Sequence, residues 1–178
     1  MRRLIDAERL ERFMRRLGRE CEAPGRVYLT GGATAVLYGW RASTVDVDLK
    51  LEDGAERILR VLPALKEELE LSIELASPAD FIPELPGWRE RCLFIAREGR
   101  LDFFHYDPYA QALSKIERGH GLDLEDVRQM IARGLVDSAV ALGLYARIEP
   151  ELYRYPAIDP ADFKRRVHLV LGPAANGE

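Results

Sequence analysis

Two aspartates separated by a single residue offer the clearest chemistry in this sequence. Asp46 and Asp48 lie in the run 45–49, VDVDL, in which apolar and acidic residues alternate strictly. Alternation with a period of two predicts a β-strand with both carboxylates on one face and the apolar side chains on the other. Carboxylate oxygens at this spacing suit Mg²⁺ or Mn²⁺, as one shared ion or as a pair about 3.5–4 Å apart. Phosphoryl and nucleotidyl transfer use such sites.

A pair of glycines precedes the aspartates. Gly31 and Gly32 follow the β-prone run 27–29 and open a helical stretch. A glycine turn between a strand and a helix exposes backbone N–H groups that phosphate oxygens can approach closely. The N–H groups of Ala33 and Thr34 fit the same role. The turn therefore predicts a phosphate-binding element.

Asp102 supplies a third carboxylate in a later β-prone run. It stands between Leu101 and Phe103, and these apolar neighbours are consistent with a partly buried acid. A third acid usually completes the ligand set of such a metal site and polarises the attacking hydroxyl. We therefore predict that Asp102 converges with Asp46 and Asp48 on one side of a sheet, with the glycine turn opening toward the same cleft.

Each of these signals is weak when taken alone. Two aspartates on an edge strand can simply be solvated, and most isolated Gly-Gly or Asp-x-Asp matches arise by chance. Two charges on one face of an otherwise apolar strand are nevertheless costly without a partner or a metal ion. The combination of the motifs therefore favours a metal-dependent site.

Alternating helical and strand patterns must position these residues, and they predict a mixed α+β fold. Apolar residues at helical spacing predict helices, and β-prone runs bounded by glycine or proline predict strands. Up to residue 107 we predict helices over 5–19, from 32 to about 40 and over 54–69, and strands over 27–29, 45–49, 71–75, 92–97 and 101–106. The last two strands form a hairpin, Pro63 can kink the third helix, and the proline-rich run 77–88 is typical of an ordered surface loop.

The chain becomes helical beyond Pro108. We predict helices over 109–118, 124–134, 138–148 and 161–171, and we expect residues 172–178 to fray. A chain of 178 residues is long enough for one compact domain and short for two. We therefore expect a single domain over 1–178. Its core, at about 20–107, is a small sheet with flanking helices, and its helical part, at about 108–171, closes one side of the cleft.

Composition and charge narrow the class of protein. No apolar run approaches the roughly 20 residues of a membrane span, and the first residues turn charged too soon for a signal peptide, so we expect a cytoplasmic protein without membrane contact. The formal net charge of -4 argues against a surface devoted to nucleic acid, although arginine-rich helix faces leave local binding open. Cys21 and Cys92 have neither metal-ligand nor disulfide spacing. His105, His120 and His168 lack zinc spacing, and we expect each to be structural or exposed.

The order of the motifs resembles the nucleotidyltransferase superfamily that includes DNA polymerase β. Its pattern is Gly-Gly or Gly-Ser, then Asp-x-Asp flanked by apolar residues, then a later strand acid, and Gly31, Gly32, Asp46, Asp48 and Asp102 map onto it one by one. The resemblance implies the superfamily's small mixed sheet with flanking helices. It also implies the reaction, which is metal-dependent transfer of a nucleoside monophosphate from an NTP to an acceptor hydroxyl.

Within the superfamily, the chain looks most similar to the AbiEii-type, or type IV, toxin branch and its bacterial relatives. The similarity lies in the stretches 29–35, 38–48, 112–118 and 123–127. The two later stretches resemble that branch's lysine, arginine and Asp-x-x-Asp helix start. The resemblance implies nucleotide-binding roles for Lys115, Arg118, Asp123 and Asp126, beside Gly31, Gly32 and Thr34. It further implies tRNA or other RNA as the acceptor and a cognate antitoxin as a partner.

Simpler interpretations of the later motif stay open. Lys115 can be a solvated helix lysine, and Asp123 and Asp126 can merely cap a helix beginning at Leu124. The branch commonly has a lysine just before the Asp-x-x-Asp element, and this chain has Leu122 there. That departure weakens the transfer of nucleotide-binding roles to the two aspartates.

Two other functions also stay open. One is a non-catalytic nucleotide-binding or interaction module of the same fold, which the missing lysine favours and the three acids oppose. The other is a small-molecule nucleotidyltransferase such as the aminoglycoside-modifying relatives. The loop residues Arg41, Ser43 and Thr44 can contact phosphate or base, or can simply form a turn before the acidic strand.

Overall fold

The computed structural model describes residues 4–173, which divide into two compact units. The first unit contains the described residues up to Ser77 together with Arg91–Tyr106. The second contains Pro78–Glu90 and the described residues from Asp107 onward. Most of the tail that we expected to fray, from residue 174 on, lies outside the described residues. The predicted mixed α+β fold class is confirmed.

The first unit is a five-stranded mixed sheet with three helices. The helices are α1 (Ala7–Glu20), α2 (Gly32–Leu37) and α3 (Ala55–Glu68), and the strands are β1 (Gly25–Thr30), β2 (Asp46–Glu52), β3 (Ser72–Leu75), β4 (Leu93–Glu98) and β5 (Leu101–His105). The strand order is β3-β2-β1-β5-β4. β1 pairs antiparallel with β2 and parallel with β5, and β4 and β5 form the predicted hairpin. The sheet thus places β1 between the two strands that carry the predicted acids.

Apolar periodicity explains how this unit packs. The alternation in β2 buries Val47 and Leu49 completely, and the helical spacing in α1 buries Leu10, Phe13 and Leu17. These side chains belong to one core cluster that also includes residues of α3, β1 and β5. The core therefore lies on one face of the sheet, and the acids of β2 project from the other.

The start of α1 differs slightly from its predicted position. The Asp6 side chain accepts a hydrogen bond from the Arg9 backbone N–H at 2.9 Å and so begins the helix after the predicted first residue. Ile5 instead pairs with Thr44 through two backbone hydrogen bonds of 2.8 Å. This isolated bridge ties the loop before β2 to the chain that enters α1.

The second unit is helical. Its helices are α4 (Trp88–Arg91), which ends one residue beyond the unit's first segment, α5 (Pro108–Arg118), α6 (Gly121–Ala132), α7 (Ser138–Ile148) and α8 (Pro160–Leu171). Short 3-10 helices cover Pro78–Asp80, in the predicted loop, and Glu149–Arg154. Aspartate side chains cap α5, α7 and α8, whereas α6 begins at Gly121 without a side-chain cap. Among residues 4–173, no helix is both long and apolar enough to cross a membrane.

Candidate functional site

The two aspartates of β2 lie on the sheet face opposite the core. Asp48 pairs with Thr30 of β1 in antiparallel register, and Asp46 lies two residues before it on the same face. Both side chains are half-buried, whereas the intervening Val47 is fully buried. The strand therefore holds two carboxylates side by side at a partly solvated surface, as its alternation predicts.

The glycine turn lies directly beside these carboxylates. Gly31 precedes α2 with φ 62° and ψ -128°, a conformation that residues with a Cβ rarely adopt. A Cβ on Gly31 would stand 3.0 Å from Oδ2 of Asp48. A Cβ on Gly32 would overlap the Thr44 side chain, whose hydroxyl donates to the Asp46 carbonyl at 3.1 Å. Both glycines thus let the turn approach β2 and the loop before it.

Thr34 turns its side chain into the protein. It is 2% exposed, and its hydroxyl donates to the Leu29 carbonyl at 3.4 Å and lies 3.1 Å from Nδ1 of His105. The hydroxyl is therefore engaged within the first unit. The predicted phosphate contact at Thr34 rests on its backbone N–H alone.

Asp102 lies on the same sheet face as Asp48 but far along the strands. Asp102 pairs with Arg26 of β1, whereas Asp48 pairs with Thr30, an offset of four residues. A strand advances about 3.3 Å per residue, so the offset along the strands alone is roughly 13 Å. Ligands of one ion, or of two ions about 4 Å apart, must lie much closer. The structure does not bring the three predicted acids together, and the assignment of Asp102 as a metal ligand is corrected.

Asp102 is instead paired with Arg97. Nε and Nη2 of Arg97 donate to the two carboxylate oxygens of Asp102 at 2.6 and 2.8 Å. The hydrogen bonds from Arg97, together with its charge, lower the pKa of the Asp102 carboxyl, although desolvation opposes the shift. A carboxylate held in this way is a poor acceptor for the proton of a hydroxyl.

Two carboxylates nevertheless suit a divalent cation that travels with a substrate. Mg²⁺ keeps several waters and is usually bound by one or two carboxylates together with substrate phosphates. Asp46 and Asp48 supply hard oxygen ligands, and the turn at Gly31 brings backbone next to them. Within residues 4–173, no three His, Cys, Asp or Glu side chains are grouped closely enough to hold a metal ion. The donor set fits a cation completed by nucleotide phosphates.

The predicted residues of the second unit form a buried ion cluster. The Lys115 ammonium lies 2.6 Å from Oδ2 of Asp126 and 3.4 Å from Oδ1 of Asp123, and Nη2 of Arg118 lies 2.6 Å from the same Asp123 oxygen. Lys115, Asp123 and Asp126 are 3%, 5% and 1% exposed. Two positive and two negative side chains thus balance one another between α5 and α6.

This cluster corrects the simpler interpretations of its members. Lys115 is not a solvated helix lysine, because its side chain is buried against two carboxylates. Asp123 and Asp126 do not cap α6, because the helix begins at Gly121 and its N-cap residue is His120. Burying charges is unfavourable unless they are paired, so the cluster is a specific polar contact between α5 and α6.

Sequence reasoning missed two partners. Arg97 lies opposite Asp102 because the hairpin turn is only residues 99 and 100, whereas the predicted link 98–100 would place residue 97 opposite residue 101. His105 was expected to be structural or exposed, and it is buried, with its ring 4.6 Å from the Tyr38 ring. Burial lowers the pKa of His105 to about 4. No pattern in the sequence signals that environment.

The chain is similar to a known protein family. The profile of a family described as "Nucleotidyltransferase of unknown function (DUF6036)" matches residues 7–154. This range covers α1, the whole sheet and the helices that carry the ion cluster. No curated protein and no solved structure shows significant similarity to the chain.

Proposed function

Because the chain belongs to this family of nucleotidyltransferases, we propose that it transfers a nucleoside monophosphate from an NTP to an acceptor hydroxyl. Asp46 and Asp48 hold the Mg²⁺ or Mn²⁺ ion that accompanies the NTP. The observation that carries this assignment is the approach of Gly31 to Asp48, where a Cβ would stand 3.0 Å from a carboxylate oxygen. Phosphates and carboxylates can meet there only through a cation.

The reaction forms one bond and breaks another. The acceptor oxygen bonds to the α-phosphorus, the bond from that phosphorus to the bridging oxygen breaks, pyrophosphate leaves, and the hydroxyl proton passes to solvent. When bound, the cation would neutralise phosphate charge that develops during transfer. The backbone N–H groups at Gly31 and Gly32, with those of Ala33 and Thr34, orient the phosphates.

The ion cluster of the second unit has a supporting role in this proposal. Lys115 is already compensated by Asp123 and Asp126, so a direct contact with a triphosphate would have to displace carboxylate partners. The Arg118 side chain is 43% exposed and is the member of the cluster that can reach a ligand while Lys115 keeps its partners. Within the second unit, the other three side chains position Arg118, and nucleotide contact by Arg118 stays a proposal from the resemblance.

The acceptor is proposed from resemblance. The stretches 29–48 and 112–127 are similar to the AbiEii-type toxin branch, which modifies RNA, often at the tRNA 3′ end, and is neutralised by an antitoxin. We therefore propose tRNA or another RNA as the acceptor and a cognate antitoxin as a partner. A small molecule such as an aminoglycoside is the alternative acceptor.

A non-catalytic nucleotide-binding module is the second candidate. The position of Asp102 favours this candidate. The acid predicted to polarise the attacking hydroxyl is roughly 13 Å from Asp48 along the strands, and it is paired with Arg97. Such a module would bind Mg²⁺-NTP and release it unchanged.

Labelled nucleotides separate the two candidates. The chain is incubated with each of the four radiolabelled NTPs, Mg²⁺, and total RNA, an aminoglycoside or a protein extract. Label on an RNA band is the expected result, and its loss in the Asp46→Asn, Asp48→Asn double variant ties transfer to the proposed site. No label on any acceptor, from a sample that binds Mg²⁺-NTP, would support the non-catalytic module instead.

A further inference from the structure

A cavity in the first unit lies apart from the proposed nucleotide site. It measures about 470 Å³ and is lined by residues of α1, the end of α2 and the edge strand β4. His105, on its wall, pairs in register with Leu29, which pairs with Leu49 on the core face of the sheet. Asp48 projects from the other face. The cavity therefore belongs to the helix-covered side of the sheet.

The wall of this cavity suits a ligand without negative charge. Met14, Leu37, Tyr38 and Ile95 give it an apolar and aromatic lining. Arg15 supplies a positive charge, but Glu11 lies 3.6 Å from its guanidinium, and Glu98 adds a further carboxylate. An anion would find no excess of positive charge here. A volume of this size is typical of sites for small molecules.

His105 leaves one ring nitrogen for a ligand. The Thr34 hydroxyl donates its one proton to the Leu29 carbonyl at 3.4 Å, and on that basis we assign the proton of the 3.1 Å contact with Oγ1 of Thr34 to Nδ1 of His105. Nε2 is then an acceptor. Within residues 4–173, the structure gives Nε2 no hydrogen-bond partner, and His105 is 6% exposed. Nε2 does not belong to the fully buried polar atoms of the described residues, so it is open to the cavity, and a ligand donor can take the place of water there.

Aromatic rings stand next to this acceptor. The Tyr38 ring lies 4.6 Å from the His105 ring and stacks on Trp40 with centroids 5.6 Å apart. Planar molecules pack favourably against such rings. Burial lowers the pKa of His105 to about 4, so the imidazole is neutral at pH 7 and does not attract anions.

We propose that this cavity binds a small, uncharged heteroaromatic molecule, which donates an N–H hydrogen bond to Nε2 of His105 and packs against Tyr38. Nucleobases belong to this chemical class. The site is separate from Asp46 and Asp48, and its occupation requires neither an NTP nor a cation. It goes beyond the proposed function, and each can fail without the other.

Two probes of equal shape test the hydrogen bond. Indole has an N–H group, and benzofuran has an oxygen in its place. Each is titrated into the full-length protein while NMR follows the resonances of Met14 and Leu37 in the cavity wall. Indole is expected to bind about tenfold more tightly than benzofuran, since the loss of one such bond commonly costs about this factor. Equal binding of the two probes, or no binding of indole, would overturn the proposal.

Two variants locate the site. Ala96→Leu fills the cavity from β4 without touching the bond between His105 and Thr34, and we expect it to weaken indole binding at least about tenfold. His105→Phe keeps a ring but removes the acceptor, and it should abolish the preference for indole. Leu169→Ala, at a residue 76% exposed in α8, should bind indole like wild type. Unchanged indole binding by folded Ala96→Leu would contradict the assignment.

Discussion

Single residues set the shape of the proposed nucleotide site. Gly31 adopts a backbone conformation that residues with a Cβ rarely adopt. A Cβ at this position would also point at the Asp48 carboxylate. Asp102 is an acid, as a metal site needs. Its position in the register of β5, however, places its carboxylate beside Arg97. Residue type alone therefore identifies candidates, and the backbone decides which of them meet.

Gly31→Ala tests the turn. The positive φ and the crowding against Asp48 should lower the free energy of unfolding by about 1–3 kcal/mol. Gly143→Ala is the matched control, because a Cβ there meets nothing within 4 Å in the middle of α7, and it should stabilise by about 0.5–1 kcal/mol. Urea denaturation measures both changes. A Gly31→Ala variant as stable as wild type would contradict the conformation assigned to this turn.

His105 makes the free energy of unfolding fall as the pH is lowered. Burial lowers the pKa of His105 from 6.5 to about 4. Between these pH values, His105 is therefore protonated in the unfolded chain and neutral in the folded chain. This contribution to stability is complete above pH 6.5 and is lost as the pH falls toward 4. The total is on the order of 3 kcal/mol.

The measurement compares urea denaturation across this pH window for wild type and His105→Phe. Carboxylates titrate in both proteins, so the difference between the two profiles isolates His105. The unfolding free energy of wild type should fall more steeply with decreasing pH. Parallel profiles would show that burial does not perturb this imidazole.

Elements show what a sequence pattern can and cannot predict. The alternation in 45–49 predicts which face of β2 carries the acids, because a strand has a period of two. It does not determine the register between β1 and β5, because that register depends on the pairing of strands distant in sequence. The predicted convergence of Asp102 with Asp48 is therefore wrong by four residues along the strands. Helical periodicity likewise identifies α5 and α6 but cannot show that Lys115 faces the other helix.

Lys115→Met tests the contact between α5 and α6. Removing the ammonium leaves the buried carboxylate of Asp126 without its closest cation, so we expect a loss of about 3–5 kcal/mol in unfolding free energy. The double variant Lys115→Met, Asp126→Leu removes both charges and should recover much of that loss. Chemical denaturation of the single and double variants measures the coupling.

Lys164→Met is the control for this cycle. Lys164 lies 2.8 Å from Glu149, but its side chain is 53% exposed, so its removal should have little measurable effect on stability. If Lys115→Met is equally harmless, the cluster is not a buried ion network. If the double variant is no more stable than Lys115→Met, the unpaired Asp126 carboxylate is not what destabilises the single variant.

The whole molecule combines a sheet unit with a helical unit, and the family match extends over residues of both. The fold class follows from the alternation of strand and helix patterns, and the expectation of one folding unit stays a prediction. The proposed Mg²⁺-NTP site draws its metal ligands and its glycine turn from the sheet unit alone. A ligand that binds only the folded protein raises its melting temperature.

Thermal stabilisation by Mg²⁺-NTP is the most direct test of the central claim, which is that Asp46 and Asp48, without Asp102, hold the cation. Wild type and Asp102→Asn should gain the same Mg²⁺-dependent rise in melting temperature, about 2.7 kcal/mol of stability when the NTP is at a hundred times its Kd. The Asp46→Asn, Asp48→Asn double variant should lose that rise while remaining folded. Full stabilisation of the double variant, or its loss in Asp102→Asn, would contradict this account.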